Sequence, residues 1–558
     1  MTKNQTLQKV TDDYLQASVI NSTADIIRIE EELLSKVHEA FDEHNVICAK
    51  DEKWKKPDSL APGQIADILM RVFSIRSICC SQTADPDFDL LGIYISDDLV
   101  QWVNSKFKMD TKNIGIYDTT DRTFEQVIRR LNRYVTKREV DETMLAIKAA
   151  APRVQRCLES NLIAVGNGIF NYKTKQLEPF SEDKVFLSKS PISYNPNAAN
   201  VNIHNPDDGT DWDVESWIGD LSDDPDIVKL LWEILGAIIR PLNRWNKSAW
   251  FVSEKGNNGK GTLCELMRCL CGDNSYTSIP LSSFSQDFAL EPLTRASAII
   301  VDENDVGSFV DKAGNLKAVI TNDVIQINRK FKTPITYQWY GFMVQCLNDY
   351  PRIKDKSDSF YRRQLFIPFS KCFTGIEREY IKKDYIHRTE VLEYVLKKVL
   401  ESNYDKLSEP KSCMQALSEY KEINDPIRSF WADLHEEFVW NLLPFTFLYD
   451  LYKSWFKANS PSGTMIGKTT FTNDLLNVIK DDKDWYCDDK TKLIRVTKDN
   501  MDGPEPLIAQ YHLEDWKTKT YKGNDINKIC IPVLATSYRG ILRVVQAVGT
   551  TEDTEENP

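Results

Sequence analysis

The sequence predicts a multi-domain chain. An α/β core built on a glycine-rich strand–loop–helix has an α+β region before it and a winged-helix-like module after it. Three observations predict this. At 558 residues the chain exceeds one core, so about three or four domains are expected. Residues 226–375 alternate helical and strand-like runs, and a glycine loop follows the first strand of that stretch. Residues 426–525 read as helices followed by a hairpin, "DWYCDDKTKLIRV".

Taken in order, residues 1–100 are expected to be mostly helical and stay unassigned. Residues 21–44 carry apolar side chains at helical spacing behind the candidate caps Ser22 and Thr23. "KWKKP" (Lys53 to Pro57) reads as a solvated loop, with a DNA-contacting arm as its alternative. Residues 101–225 form the α+β region, with the helix "TFEQVIRRLNRYV" and short strands from Asn161 to Pro196. "LLGIYI" is a strand just upstream, and the Asp/Asn-rich stretch 198–213 reads as a surface linker. The core follows over 226–375, then a helical connector over 376–425, the winged-helix-like module over 426–525 and an extension over 526–558. That extension ends in "TTEDTEENP", too acidic and apolar-poor to fold.

Composition narrows the functional classes. Hydrophobic residues make up 42% and no apolar run is long enough to span a bilayer, so no membrane partner is expected. "MTKNQTLQKVTDDYLQ" lacks the apolar centre of a signal peptide, which predicts a cytoplasmic location. The 12 Cys include no CxxC and none pairs with a His at finger spacing, so no zinc is expected. A net charge of -13 disfavours a surface coated with duplex DNA. It does permit a ring that confines its basic contacts to a central channel.

The chemistry concentrates in "WFVSEKGNNGKGTLCELMRCL" (Trp250 to Leu270). A phosphate loop needs a strand, a turn presenting backbone N–H groups, a Lys and a helix N-terminus. "AWFV" is the strand, and Gly256, Asn257, Asn258 and Gly259 make the turn. Lys260 supplies the cation, followed by Gly261, Thr262 and the helix. The strict pattern has Gly where this chain has Glu254, and a Mg²⁺-ligating hydroxyl where it has Gly261. Thr262, one residue on, or a water is then left to meet the metal.

"ASAIIVDEND" is an apolar strand ending at Asp302 and Glu303, a pair suited to holding Mg²⁺ and orienting an attacking water. "YGFMVQCLNDYP" is another, ending at Asn348, which could bond a γ-phosphate or the water. "DSFYRRQLFIPF" sets Arg362 and Arg363 before a last strand. Between the first two strands, "NRKFKTP" makes a hairpin tip of Arg329, Lys330, Phe331 and Lys332. Cations beside an aromatic suit contact with single-stranded DNA.

The ordered set resembles superfamily 3 helicases, hexameric AAA+ motors of phages, plasmids and mobile elements, and within them relatives of the poxvirus primase-helicase. The resemblance covers roughly residues 100–525 and implies a P-loop AAA+ fold, ATP and Mg²⁺ as cofactors, and a homo-hexamer with shared sites. It implies phosphate contact by Lys260, metal association by Asp302, water activation by Glu303 and sensing by Asn348. It further implies an arginine finger at Arg362 in preference to Arg363, and DNA translocation by Lys330 and Phe331. The expected activity is replicative unwinding of origin DNA in a bacterial host cell, alongside a separate primase or replication protein. A primase-helicase is one alternative, with Asp85, Asp87 and Asp89 of "ADPDFDL" as candidate metal carboxylates. An ATP-binding initiator or loader that does not unwind is the other, permitted by Gly261.

Overall fold

The computed structural model describes residues 1–18, 25–79, 81, 86–253, 255–273, 275–305, 309–310, 312–330, 332–375, 378–459, 465–480 and 482–544. Glu254, Phe331, Asp85 and the acidic tail lie outside them. The chain divides into two units, residues 1–417 and 418–558.

The first unit begins with α1 (Lys3–Ala17), capped reciprocally by Thr2 and Gln5. Helices α2 (Asp25–Ile47) and α3 (Pro62–Val72) follow, then β1 (Ile75–Ile78), β2 (Leu90–Tyr94), α4 (Asp97–Asn104), β3 (Tyr117–Asp118), α5 (Asp121–Leu131), α6 (Lys137–Ala150) and β4 (Arg153–Val154). The four strands make one sheet in the order β3-β2-β1-β4. Their helices share a core running from Tyr14 to Ile147. The boundary expected after residue 100 therefore falls inside a single sheet and a single core. Its cause is strand pairing across 76 residues, Ser77 with Arg153, which local periodicity cannot report.

A meander of β5 (Leu162–Val165), β6 (Gly168–Asn171) and β7 (Gln176–Glu178) comes next. The stretch expected as a surface linker instead forms a hairpin of β8 (Ile203–His204) and β9 (Asp211–Trp212). Ile203 and Trp212 are buried there, so apolar contact overrode a polar composition. Helix α7 (Val214–Asp220) is capped by Asp213, and α8 (Pro225–Ile239) by Asp224 with Pro at its start.

The rest of the unit surrounds a parallel sheet. In chain order it contains β10 (Ser248–Val252), α9 (Lys260–Cys271), β11 (Tyr276–Thr277), β12 (Ala298–Val301), β13 (Phe309–Val310), α10 (Gly314–Ile320), β14 (Val324–Arg329), β15 (Lys332–Gln338), β16 (Phe342–Leu347), β17 (Arg352–Ile353), α11 (Asp358–Tyr361) and β18 (Gln364–Pro368). Five strands lie in the order β11-β12-β16-β10-β18, every neighbouring pair parallel. One face sets Phe251, Val344 and Ile367 against α8, α9 and α13 (Thr389–Glu401). On the other, fully buried Trp250 meets Phe366 at 5.1 Å and Phe360 at 6.3 Å. Truncating such a side chain to Ala costs about 3–5 kcal/mol. Helix α12 (Glu379–Lys383) precedes α13, and α14 (Lys411–Asn424) follows it.

The second unit contains α15 (Pro426–Leu434), β19 (Leu442–Pro444), α16 (Phe445–Asn459), α17 (Lys468–Ile479), β20 (Trp485–Tyr486), β21 (Ile494–Arg495), β22 (Ser537–Tyr538) and β23 (Gly540–Arg543). Its three-stranded antiparallel sheet has the order β19-β23-β20. The hairpin expected within 484–496 does not form. β20 pairs with β23, and β21 with β22, so the central strand comes from the stretch assigned to the C-terminal extension. Gly540 makes the approach possible, because a Cβ there would lie 2.2 Å from the Leu443 carbonyl oxygen.

Candidate functional site

The glycine loop leaves the sheet at β10, a strand buried throughout and flanked by β16 and β18. Asn257 and Gly259 hold left-handed φ values of 53° and 83°, which turn the backbone tightly into α9. Asn258 spans the turn. Its amide donates to the Lys255 carbonyl at 2.6 Å, and its oxygen accepts from Lys260 N at 3.2 Å. Lys260 opens α9 and is only 5% exposed. Its Nζ reaches the carboxyl end of β16, donating to Leu347 O at 2.9 Å and Asn348 Oδ1 at 3.2 Å. Burial pushes the amine below its ordinary pKa. The loop and Asn348 thus meet in the crevice between two adjacent parallel strands, the usual ligand position in such sheets.

The acidic turn ends β12, next to β16. Asp302 is exposed, but its carboxylate is already engaged. Arg268, two turns along α9, grips both its oxygens at 2.8 and 2.5 Å and also pairs with Glu265 at 3.2 Å. Burial works against the Arg268 charge, but its bonds to Asp302 and Glu265 outweigh that and raise its pKa. A Mg²⁺ at Asp302 would have to share the carboxylate with this guanidinium. Glu303 is exposed, while Asn304 is 4% exposed and fixes the turn. Its amide donates to Gln345 Oε1 and Cys346 O, and its oxygen accepts from Leu281 N. Thr262 lies in the first turn of α9 and lines a cleft beside the loop. A Cβ at Gly261 would lie 3.5 Å from Lys382 Nζ.

The predicted hairpin forms from β14 and β15, with Arg329 opposite Lys332. Arg329 bonds back to Thr333 O, which braces the turn, and Lys330 is exposed. The Phe331 ring and the Lys332 side chain lie outside the described residues. Arg362 is exposed, whereas Arg363 is tied to Ser359 O within its own chain. Both precede β18, which pairs directly with β10, so they stand at the amino-terminal end of the strands, about 16 Å of strand from the loop at the carboxyl end. Of the carboxylates in "ADPDFDL", Asp89 is buried and held by Arg153 at 2.6 Å.

Sequence reading missed Arg268, Asn304 and Lys382. For Asn304 the signal was present, a third polar residue directly after Asp302 and Glu303. Arg268 and Lys382 come to the loop and the acidic turn across folds of the chain and left none. It also missed Glu265, Cys269 and His387, whose ligand atoms lie within 4.8 Å of one another. Burial pushes the Cys269 thiol up to about 12, so it would have to lose its proton to bind a metal.

Three family models match. Residues 251–363 match a family of unknown function (DUF5906), residues 422–518 a family described as poxvirus D5 protein-like, and residues 88–231 one described as D5 N terminal like. No curated protein matches the chain. Among solved structures, the A form apo structure of NrS-1 C terminal region-CTR is 13% identical with a TM-score of 0.39, covering 75% of this chain and 86% of that one. A second A form apo structure of that region is 13% identical at 0.41, covering 87% and 100%. An apo structure of the same region is 12% identical at 0.40, covering 79% and 98%. On both sides of its glycine loop, over residues 88–231 and 422–518, the chain is D5-like.

Proposed function

We propose that the chain is an ATP-dependent replicative DNA helicase, working as a homo-hexameric ring on single-stranded and origin DNA. One observation carries the reading. The amine of Lys260, at the start of the helix after a glycine turn, is held against Asn348 at the carboxyl end of the neighbouring parallel strand. Mg²⁺·ATP would bind there, with Lys260 and the N–H groups of Gly259 to Thr262 meeting its phosphates. Asp302 or Thr262 would hold the metal, and Glu303 would orient water.

Other features support this reading. Arg362, at the amino-terminal end of the strands and away from the loop, suits a neighbouring subunit's site better than its own. Lys330, exposed at a braced tip, suits a DNA backbone in a channel. In the second unit, the helices and the three-stranded sheet support a winged-helix-like module for duplex contact. A cytoplasmic setting in a bacterial host, with a separate primase or replication protein, belongs to the same proposal. No helix among the described residues is long and apolar enough to cross a membrane.

Unwinding of a forked DNA duplex with ATP and Mg²⁺ tests it, wild type beside Lys260→Ala. Strand separation that disappears in the variant is the expected result. A second reading, an ATP-binding initiator or loader, is favoured by the grip of Arg268 on Asp302. ATP-dependent ring formation without hydrolysis or unwinding would select it. Primer synthesis from ribonucleotides would select a primase-helicase instead.

A further inference from the structure

The cleft beside the glycine loop has a volume of about 780 Å³, room enough for a nucleoside triphosphate. Asn257, Gly259 and Thr262 form one wall. The others come from two segments outside any phosphate-loop pattern: the β8–β9 hairpin with α7, contributing Trp212 and Trp217, and α12, contributing Lys382. These segments are bolted together. Tyr380 of α12 donates to Asp208 at 2.7 Å and lies 3.0 Å from Thr210, both in the hairpin. Tyr385 packs on Trp212 at 5.5 Å and on Tyr380 at 4.9 Å.

Two details point to a ligand. First, Lys382 is exposed, and its ammonium stands 3.5 Å from where a Cβ of Gly261 would be. The position that ordinarily carries a hydroxyl is bare, and a second cation occupies the space beside it. Second, the half-buried ring of Trp217 stands in the cleft wall, 6.2 Å from the ring of Trp212, and offers an aromatic face opposite the loop's cations.

We propose that this cleft is the nucleoside half of the nucleotide site. Lys382 meets the phosphates through the gap at Gly261, and Trp217 supports the base. The proposal rests on reading the loop as a nucleotide site, and it deepens that reading by assigning the recognition of base and phosphate to D5 N terminal-like residues and α12. Gly261 then makes room for a cation instead of marking a damaged metal ligand.

Calorimetric titration of the full chain with Mg²⁺·ATP and with Mg²⁺·triphosphate separates the contributions. Trp217→Ala is expected to weaken ATP about tenfold and leave inorganic triphosphate unchanged. Trp217→Phe, which keeps a ring, should bind ATP like the wild type. Lys382→Ala is expected to weaken both ligands about tenfold. If Trp217→Ala and Lys382→Ala both bind ATP like the wild type while Lys260→Ala does not, the cleft assignment is overturned and the nucleotide reading stands. If Lys260→Ala binds ATP as the wild type does, the reading falls and the cleft assignment with it. Should Trp217→Ala fail to fold, Lys382→Ala decides alone, unchanged affinity overturning the proposal.

Discussion

Lys260 and Lys330 stand in the same unit, each in a basic stretch after a strand-like run, and the protein treats them oppositely. Lys260 is buried, its amine spent on a carbonyl and an amide at the end of β16. Lys330 is exposed at the end of β14, beside Arg329, which is bonded to Thr333 O. A buried cation is desolvated in advance and positioned for one anion at one place, at a cost to stability. An exposed cation keeps its water, contacts any phosphate in reach and is screened by salt. The difference suits a reaction centre in one case and a sliding contact in the other.

The largest test removes the buried cation. Lys260→Ala should lower ATP hydrolysis by about a hundredfold or more, measured as phosphate release, with secondary structure retained. A variant within about threefold of wild type would erase the functional side of the contrast.

The clamp that holds this edge comes second. Asn304→Ala removes the bonds linking Leu281, Gln345 and Cys346 and should cost about 2–3 kcal/mol in denaturant unfolding. A loss below about 0.5 kcal/mol would mean that the edge is rigid for some other reason.

Lys330→Ala should weaken single-stranded DNA binding by about fivefold and lower the salt slope by about 0.7, with ATP binding unchanged. A larger effect on ATP than on DNA would reverse the assignment of the tip.

The smallest effect tests burial itself. Lys260 has its folded-state pKa pushed down by desolvation, so the unfolded chain holds the proton more strongly. Its charge destabilises the fold where both states are protonated. That cost shrinks as pH rises through the folded value toward the ordinary one of 10.5. Lys260→Met should therefore gain more in Tm over wild type at about pH 7 than at about pH 10. An equal difference at both values would mean that the amine is not desolvated.

How much of this could be read along the chain depends on the range of the interaction. The loop, the strands ending at Asp302 and Asn348, and the tip hairpin are local patterns of glycine, apolar alternation and turn residues, and all form. The antiparallel sheet of the second unit was misread because its central strand, Gly540–Arg543, lies more than 50 residues beyond the strand it pairs with. The capture of Asp302 by Arg268 was also hidden, since ion pairing across a fold has no sequence spacing to betray it.

By itself the sequence determined the chemistry available at the edge of the parallel sheet: the lysine, the two carboxylates, the asparagine and a glycine in place of a hydroxyl. Only the tertiary structure decided their states. It buried one lysine, handed Asp302 to Arg268, set Arg362 at the opposite end of the strands, and brought Lys382 to the bare side of Gly261 from more than 100 residues away. The physical reason is that residue identity fixes which charges and bonds are possible. Burial and proximity, set by contacts distant in the chain, fix which of them are made.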